Sequence, residues 1–503
     1  MKKIAAILVL LFPVALSASR SQAAGILNES FKLTAPGAWF GGSVSVRDGI
    51  AIIGAQFDNQ GEHINAGSAY LFDISDGSQI GKFTASDASS GDAFGGAVAI
   101  SGNFAVVGAR FDDDTADASG SVYVFEVSSG REVFKLNASS AMKSDEFGIS
   151  VAIDATTAIV GAWGDDEAGS SAGAAYLFNV LTGKQIAKLK VDDPKEEESL
   201  GKSVSISGAT AIVGMPFNDD RCPANIACNS GSAYLFDANT GRQTSKLTAI
   251  DATKGDLFGW SVGISGDRAI VGAPYSDDAC PLDGDCNSGS AYVFDIASGK
   301  QLAELTAPDA ARYDSFGFAV AIDGDLAVVG VRGDDDMGNS SGSAYLFDVS
   351  TGQMIVKLLA SDGAEGDVFG DSVAIRGKTV IVGAKLHGAA NDGAAYIFHL
   401  PDLSADLTEN VVVDFGDLTV LLANWNKPGA TAGEGNLVDV NNSSIDFDDL
   451  TELLSQWTGP TLGETPQAGE AARPIPEPGS LYLMALGMAW LLNVGSRSRN
   501  LNG

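Results

Sequence analysis

A pair of short motifs recurs seven times along this chain, and no other feature limits its fold as strongly. Within each repeat, Phe-Gly is followed by Tyr-x-Phe, and successive Phe-Gly motifs lie 53 to 58 residues apart. The Phe-Gly motifs (Leu-Gly once) begin at Phe40, Phe94, Phe147, Leu200, Phe258, Phe316 and Phe369. The Tyr-x-Phe motifs begin at Tyr70, Tyr123, Tyr176, Tyr234, Tyr292, Tyr345 and Tyr396. Such a period is typical of an array of one supersecondary unit, most often a propeller or a solenoid.

Each repeat contains four short apolar runs separated by Gly, Asp and Ser. In the sixth repeat these runs lie at residues 319–322, 326–330, 343–347 and 354–359. They are rich in Val, Ile, Tyr and Phe, which favours consecutive antiparallel strands. Tight turns such as Asp323-Gly324 join the first two runs, because glycine accepts a positive φ there. Four strands repeated seven times predict an all-β fold, a seven-bladed β-propeller over residues 27–400.

The last run of each repeat predicts how the ring closes. It has the pattern Lys-x-x-Ala or a variant, as at residues 82–85 and 135–138. No such run follows the seventh Tyr-x-Phe, but a spare copy at residues 31–35 precedes the first Phe-Gly. We therefore predict that an N-terminal strand completes the last blade, which removes two exposed sheet edges.

The combination of Phe-Gly with a later Val-Gly-Ala, as at residues 107–109 and 160–162, resembles FG-GAP repeats. These repeats form the propeller of integrin α-chains and occur in many bacterial surface proteins. The resemblance covers roughly three quarters of the chain and implies a non-catalytic adhesion or ligand-binding module. Integrin-type blades often carry an Asp-x-Asp-x-Asp-Gly calcium loop between their first two strands. Short turns stand there in this chain, so the calcium sites of the family do not transfer.

The chain is strongly acidic, with a formal net charge of −33. This charge argues against nucleic acid and anionic membrane surfaces as partners. Many of the acids lie in one loop, after the second strand of the repeats. Divalent cation binding by oxygen ligands is one interpretation of this loop, and a solvated turn on one rim is the favoured one. The acids are Asp112, Asp113, Asp114, Asp165, Asp166, Asp219, Asp220, Asp277, Asp278, Asp334, Asp335 and Asp336.

A second recurrent acid precedes Phe-Gly in five repeats, as Asp-x-Phe-Gly. A position this regular favours a structural task, such as hydrogen bonding to the backbone of a turn. A catalytic site would more often be unique to one or two blades. The five acids are Asp92, Asp145, Asp256, Asp314 and Asp367.

The sequence offers few groups for catalysis. Its three histidines, His63, His387 and His399, are widely spaced. No Ser-His-Asp arrangement, zinc spacing or phosphate loop is present in the sequence. We therefore predict that the protein is not an enzyme. Carboxylate pairs for glycoside hydrolysis remain an open alternative among so many acids.

The four cysteines fall in two pairs, Cys222 with Cys228 and Cys280 with Cys286. Both pairs lie in the acidic loop, in the two repeats that are five residues longer. An even count in an exported chain favours disulfides. Two local bridges are the favoured pairing, while cross-pairing between the loops, metal thiolates and free thiols remain open.

Both ends of the chain carry targeting patterns. Residues 1–23 combine two lysines, an apolar run and Ser-Gln-Ala, which predicts a secretory signal peptide. Residues 459–474 are polar, which predicts a linker. In residues 475–499, Pro476, Glu477 and Pro478 precede an apolar run and a basic end. This order resembles the PEP-CTERM sorting signal, which implies processing by an exosortase-type enzyme, and a plain tail anchor is the alternative.

Residues 402–458 differ from the repeats. Two matching segments, 413–425 and 445–457, place Leu and Trp on one helix face after loops of oxygen ligands. The pair resembles a dockerin-type module, which implies Ca²⁺ and a cohesin-like partner. Two helices paired through their Leu and Trp faces, with the acids as N-caps, are the alternative. The resemblance places ligands at Asp406, Thr408, Asn410, Val412 (by its carbonyl), Asp414 and Asp417, and in an irregular second loop at Asp439, Asn441, Asp446 and Asp449.

Together these features predict the location and the role of the protein. We expect a bacterial protein exported by the Sec pathway to the cell surface or extracellular matrix, anchored by its C-terminus at least transiently. Its propeller is expected to bind an extracellular protein or polysaccharide without catalysis. A secreted carbohydrate-active enzyme and an envelope scaffold component are the alternatives.

Overall fold

The computed structural model describes residues 26–35, 38–192, 194–219, 228–278 and 286–400. These residues form seven β-sheets, six of four strands and one of five. The predicted seven-bladed propeller of four-stranded blades is therefore confirmed. Within the described ranges, no helix has the length and apolar character needed to cross a bilayer.

Two short strands precede the first blade, and the blades then use consecutive strands. The first two strands are β1 (Ile26–Leu27) and β2 (Phe31–Leu33). Blade 1 contains β3 (Phe40–Arg47), β4 (Ile50–Ala55), β5 (Ser68–Asp73) and β6 (Gln79–Phe83). Blade 2 contains β7 (Phe94–Ser101), β8 (Phe104–Ala109), β9 (Ser121–Glu126) and β10 (Arg131–Leu136). Blade 3 contains β11 (Ser150–Asp154), β12 (Thr157–Ala162), β13 (Ala174–Asn179) and β14 (Lys184–Leu189).

The remaining blades repeat this order. Blade 4 contains β15 (Val204–Ser207), β16 (Thr210–Met215), β17 (Ser232–Asp237) and β18 (Gln243–Leu247). Blade 5 contains β19 (Ser261–Ser265), β20 (Arg268–Ala273), β21 (Ser290–Asp295) and β22 (Lys300–Leu305). Blade 6 contains β23 (Phe316–Asp323), β24 (Leu326–Val331), β25 (Ser343–Asp348) and β26 (Gln353–Leu358). Blade 7 contains β27 (Ser372–Arg376), β28 (Thr379–Ala384) and β29 (Ala394–His399).

The middle strands of each blade are buried on both faces. In blade 1, every residue of β4 after Ile50 is buried, as is every residue of β5 before Asp73. Their nearly continuous apolar sequences suit this position, because no face of these strands meets water. A two-residue turn joins the first two strands, with φ angles of 50° at Asp48 and 84° at Gly49. Positive φ at both central residues is what a type I′ hairpin turn requires.

The N-terminal strand closes the ring as predicted. β2 pairs antiparallel with β29, with Phe31 opposite Ile397 and Leu33 opposite Ala395. The first and last parts of the propeller therefore share blade 7. β1 adds a fifth strand to blade 6 by pairing parallel with β26. The sequence did not predict β1, because two residues are too few to show a strand pattern.

The recurring glycines allow neighbouring blades to touch. A side chain on Gly54, in the second strand of blade 1, would overlap the carbonyl oxygen of Gly95, in the Phe-Gly of blade 2. Gly95 also has a φ of 89°, which L side chains rarely adopt. The same contact joins Gly108 to Gly148, Gly161 to Gly201, Gly214 to Gly259, Gly272 to Gly317, Gly330 to Gly370 and Gly383 to Gly41. Both glycine motifs are thus explained by the close approach of two backbones.

The first strand of every blade lines a central channel. These strands contact one another around the ring and enclose a cavity of about 480 Å³. All of them run in the same direction, so their first residues share one end of the channel. We call that end, formed by the residues that follow each Phe-Gly, the upper mouth. The opposite end, which carries Arg47, Asp154, Asp323 and Arg376, is the lower mouth.

Candidate functional site

Polar groups cluster around the tyrosine of the Tyr-x-Phe motif, as blade 6 shows. The Tyr345 hydroxyl donates a hydrogen bond to Asp309, and the Lys357 ammonium lies 5.1 Å from the centre of the Tyr345 ring. The ammonium also contacts Asp309 at 2.9 Å. It lies 2.8 Å from Asp334 and 2.6 Å from Asp336. One cation therefore compensates three acids, two of the acidic loop of blade 6 and Asp309, which follows the last strand of blade 5.

Lysines at the same repeat position make similar polar contacts in five other blades. Each ammonium contacts a polar residue of the acidic loop or, in blade 7, an acid that follows the last strand of blade 6. The pairs are Lys82 with Asp58, Lys135 with Asp112, Lys188 with Asp165, Lys246 with Asn218, and Lys32 with Asp362. Asp112, Asp165 and Asp334 are buried. The predicted solvated turn is therefore wrong for these acids, because they are ion-paired inside the fold.

The next acid of the loop has a different task. Asp113 accepts a hydrogen bond from the Ala118 amide at 2.7 Å, and Asp166 accepts one from the Ser171 amide at 2.6 Å. Equivalent backbone bonds are accepted by Asp219, Asp277 and Asp335. Carboxylates that bond to nearby amides in this way hold a turn in place. These five acids of the loop thus serve the fold.

Blade 5 departs from this arrangement, because Glu304 stands where the other blades have lysine. Glu304, Asp251 and Asp278 each have a carboxylate oxygen within 4.8 Å of the others. Burial, and then the charges of Asp251 and Asp278, raise the pKa of Glu304 to about 7. This exposed group could hold a proton or a cation. The matching acids of blade 6 form a similar group, but Lys357 already lies among them.

The acid before Phe-Gly has the predicted structural role. Asp92 accepts a hydrogen bond at 2.7 Å from the amide of Ser89, three residues earlier. The same bond joins Asp145 to Met142, Asp256 to Thr253, Asp314 to Ala311 and Asp367 to Ala364. Burial raises the pKa of Asp92 to about 6. These acids therefore close a turn, and that prediction is confirmed.

The histidines do not form a catalytic arrangement in the described residues. The Nδ1 of His387 lies 2.8 Å from Asp367, and its Nε2 lies 2.7 Å from the Lys32 ammonium. This histidine occupies the polar cluster of blade 7. His399 ends β29, and His63 is exposed in a loop of blade 1. In the described ranges, no serine hydroxyl lies within hydrogen-bond distance of a histidine ring.

The upper mouth of the channel carries a lysine of another kind. The Lys202 ammonium lies 4.8 Å from the centre of the Trp163 ring and 4.4 Å from that of Trp260. Among the described residues it has no hydrogen-bond acceptor and no carboxylate at ion-pair distance. Burial, together with the charge of Arg110, lowers the pKa of Lys202 to about 8. Lys202 is thus a cation held by two aromatic rings alone.

Aromatic rings and charges continue around the upper mouth. The Arg332 guanidinium lies 3.8 Å from the Phe318 ring centre, and the Lys385 ammonium lies 5.0 Å from that of Trp39. Asp371 lies between these cations, 2.9 Å from Lys385 and 3.9 Å from Arg332. The aromatic rings of this mouth are partly exposed. The mouth can therefore offer flat apolar faces and positive charge to a ligand.

Comparison with protein families connects this architecture to a known repeat. A family model described as the FG-GAP repeat matches seven segments that together span more than half of the chain. The chain belongs to the FG-GAP repeat family. The FG-GAP segments are 32–72, 78–125, 131–178, 184–236, 242–294, 300–347 and 353–398. Comparison with curated protein sequences gave no match.

The FG-GAP segments and the blades are offset by one strand. The first segment begins in β2 of blade 7 and ends in β5 of blade 1, and the second runs from β6 to β9. Each FG-GAP unit thus includes the last strand of one blade and the first three strands of the next. This offset is the reason that an N-terminal strand closes the ring.

The sequence did not indicate the upper mouth of this FG-GAP propeller. The motif residues are nearly constant between repeats, whereas the residue after Phe-Gly differs widely. It is Gly42, Gly96, Ile149, Lys202, Trp260, Phe318 and Asp371 in the seven repeats. This variability was the available signal, because the symmetry of a propeller brings one position of every repeat to the same end of the channel.

Several predictions lie outside the described part of this FG-GAP protein. They concern residues 1–23, Asp220, Cys222, Cys280 and residues 402–503, which include the dockerin-like ligands and the sorting motif. Cys228 and Cys286 are described, and both are buried. Neither of them is a free thiol. The pairing of the four cysteines stays a prediction.

Proposed function

We propose that this protein is an exported cell-surface or extracellular-matrix protein whose propeller binds an extracellular ligand without catalysing a reaction. The observation that carries the proposal is the Lys202 ammonium between Trp163 and Trp260. Partly exposed tryptophans beside a cation that has no counter-ion among the described residues are unusual in a core that serves only stability. Tryptophan and tyrosine, with arginine, also contribute most of the binding free energy in many interfaces.

The other charged groups support the choice of the upper mouth. The lysines of the blades contact acids of the same or the preceding blade or, in blade 4, the amide oxygen of Asn218, so those charges stabilise the fold. Outside blade 5, where Glu304 replaces the lysine, these polar clusters repeat with little change around the ring. The residues of the upper mouth change from blade to blade, and this arrangement suits one ligand bound on the axis of the channel. The ligand is an extracellular polysaccharide or protein.

Retention on immobilised polymers tests this proposal. The probes are alginate, pectin, xylan and collagen, and the full-length protein is used. We expect at least one probe to retain the wild type, and Trp163→Ala/Trp260→Ala to weaken that binding by at least about tenfold. Leu181→Ala changes an exposed residue of an outer turn and is the control that binds as the wild type does. Equal binding by the double variant, or release of sugar fragments from a probe, would contradict the proposal.

The terminal segments complete the proposal. We infer Sec-dependent export through residues 1–23 and sorting through Pro476, Glu477 and Pro478 by an exosortase-type enzyme. In the exported protein, the four cysteines would form disulfides in the two longer loops. The support for these steps is the order of charged, apolar and small residues in the sequence.

We also propose that the dockerin-like module of residues 402–458 binds Ca²⁺ and a cohesin-like partner. Calcium that binds the folded state alone raises the melting temperature. We expect this rise to be smaller in Asp406→Ala/Asp414→Ala, which removes two ligands of the first loop. Glu304→Lys is the matched variant in the propeller and should leave it unchanged. A rise that is lost only in Glu304→Lys would assign the calcium to blade 5 and not to the module.

A further inference from the structure

We propose that the upper mouth recognises a sugar unit that carries a carboxylate, such as a uronic acid residue of an extracellular polysaccharide, with Lys202 as its counter-ion. This inference rests on the proposed function and adds the chemical class of the ligand. Three observations lead to it. They are the charge balance of the mouth, its donors without acceptors, and the aromatic rings beside them.

Positive charge exceeds negative charge at the upper mouth, although the whole chain has a formal net charge of −33. Asp371 is engaged by Lys385 and Arg332. Glu146 is the other acid whose charge acts on Lys202 there, and it also acts on Arg110. Among the described residues, four cations thus face two acids at this end of the channel: Arg110, Lys202, Arg332 and Lys385 against Glu146 and Asp371. An anion is therefore attracted to this mouth of an otherwise acidic molecule.

Two of these cations have donors without an acceptor in the described structure. The Lys202 ammonium contacts aromatic rings, and its three N–H groups have no oxygen partner among the described residues. The Nε of Arg110 is buried and has no hydrogen bond, while its guanidinium lies 4.5 Å from the Phe111 ring centre. A buried donor without an acceptor is costly. A carboxylate at the mouth would accept charge-assisted hydrogen bonds from Lys202, which are stronger than neutral ones.

The aromatic rings favour a sugar over other anions. A pyranose ring has flat C–H faces that pack on tryptophan, and a uronic acid has its carboxylate on the same ring. Such a unit can stack on Trp163 or Trp260 and place its carboxylate beside Lys202 at the same time. Inorganic phosphate or sulfate would gain nothing from the aromatic faces. An acidic protein segment is the other source of carboxylates, and the experiment below separates the two.

The lower mouth supplies an internal control. Its two arginines are paired, Arg47 with Asp154 at 3.5 Å and Arg376 with Asp323 at 2.8 Å. Because both charges are compensated, neither of these arginines is left for a carboxylate in the described part of the lower mouth. Arg376→Met therefore removes a cation from the same channel and leaves the proposed site intact.

Calorimetry at pH 7 with the full-length protein tests the inference. The probes are tetramers of galacturonate, glucuronate and mannuronate, each with its carboxyl-reduced counterpart. We expect at least one uronate tetramer to bind. Carboxyl reduction of the sugar, and Lys202→Met in the protein, should each weaken binding by at least about tenfold. Lys202→Arg keeps the charge and should restore much of the binding, and Arg376→Met should leave it unchanged.

The outcomes separate this inference from the proposed function. Equal binding of a uronate tetramer and its reduced counterpart would overturn the carboxylate inference but leave ligand binding at the mouth in place. Binding of a polyaspartate peptide and of no tetramer would overturn it in favour of a protein ligand. The carboxylate inference and the proposed function both fail under two conditions together. Neither a tetramer nor the peptide binds, and the immobilised polymers retain Trp163→Ala/Trp260→Ala as strongly as the wild type. Thermal unfolding of Lys202→Met confirms that this variant is folded before its binding is compared.

Discussion

Two lysines of this propeller lie over aromatic rings and have opposite pKa shifts. Lys357 in blade 6 lies 5.1 Å from the Tyr345 ring centre, and Lys202 at the upper mouth lies 4.4 Å from that of Trp260. Burial acts to lower the pKa of both. At Lys357, hydrogen bonds to carboxylates outweigh burial and raise the pKa. At Lys202, burial and the charge of Arg110 prevail, and the pKa falls to about 8.

This difference separates a structural cation from one that a ligand can use. Lys357 has its counter-ions inside the fold, so its charge is part of the packed blade. Lys202 has rings around it but no described counter-ion, so the favourable partner has to come from outside. Removal of each lysine should therefore change stability in opposite directions.

Lys357→Met should have the largest effect on stability. It leaves Asp334 and two further acids near one another without a cation. Breaking a buried ion pair by removing one partner costs about 3 to 5 kcal/mol, so we expect a loss of this size in denaturant unfolding. Lys143→Met is the control, because its partner Asp117 and Lys143 itself are exposed, and it should not measurably change stability. Equal stability of both variants would show that the cluster of blade 6 is not structural.

Lys202→Met should leave stability unchanged or increase it. The substitution removes a charge that is partly buried and has no described counter-ion, while the side chain can still pack between the tryptophans. We expect a gain in the free energy of unfolding of about 1 kcal/mol. Converting the lowered pKa at roughly 1.4 kcal/mol per unit would give a larger gain, but water screens a partly exposed group. The free energy of unfolding at pH 7 measures this gain. A loss as large as that of Lys357→Met would remove the distinction between the two lysines.

The pH dependence of the same pair of proteins gives a finer test. The pKa of Lys202 falls to about 8 in the folded state, below the ordinary lysine value of about 10.4. Between these values the unfolded chain binds more protons, so this group increases stability as the pH rises. We expect the advantage of Lys202→Met over the wild type to shrink between pH 8 and pH 10, measured by urea unfolding. A constant advantage would mean that Lys202 titrates normally.

The smallest effect is expected in blade 5. Glu304→Lys supplies the cation that the other blades have, and we expect it to increase stability by up to about 1 kcal/mol, because the site is exposed. It should also change the pH dependence. The pKa of Glu304 is raised to about 7 in the folded state, above the ordinary value of about 4.3, so the wild type loses stability as the pH rises through this window. The free energy of unfolding of both proteins is measured at pH 4, 5.5 and 7. The same pH dependence in the wild type and in Glu304→Lys would contradict this account.

The repeat made the fold predictable from the sequence. Phe-Gly and Tyr-x-Phe mark every blade, and the spare strand at Phe31–Leu33 predicted the closure. The Asp-x-Phe-Gly acids were also assigned correctly, since one hydrogen bond within a turn involves neighbours in sequence. β1 was missed because a strand of two residues, paired in parallel with β26, has no pattern of its own.

The polar clusters and the upper mouth were harder to predict, because they depend on distant residues. The acids of the loop are visible in the sequence, but Asp334 is compensated by Lys357, which lies on another strand. The recurrent lysine of the last strand, which Glu304 replaces in blade 5, was a usable signal for these polar clusters. Trp163, Lys202 and Trp260 belong to three different blades. Lys202 and Trp260 share the variable repeat position after Phe-Gly, whereas Trp163 comes from another position, and the ring geometry brings all three together.

Measuring the pKa of the Lys202 ammonium by NMR, with and without a uronate tetramer, is the most direct test of the central claim. The NMR resonance of Lys202 is identified as the one that is missing from the spectrum of Lys202→Arg. We predict titration near pH 8 in the free protein and a shift to higher pH with the tetramer, because a carboxylate at the mouth stabilises the charged form. Titration near the ordinary value of about 10.4, unchanged by any of the three tetramers, would show that Lys202 is not the counter-ion of a bound sugar acid.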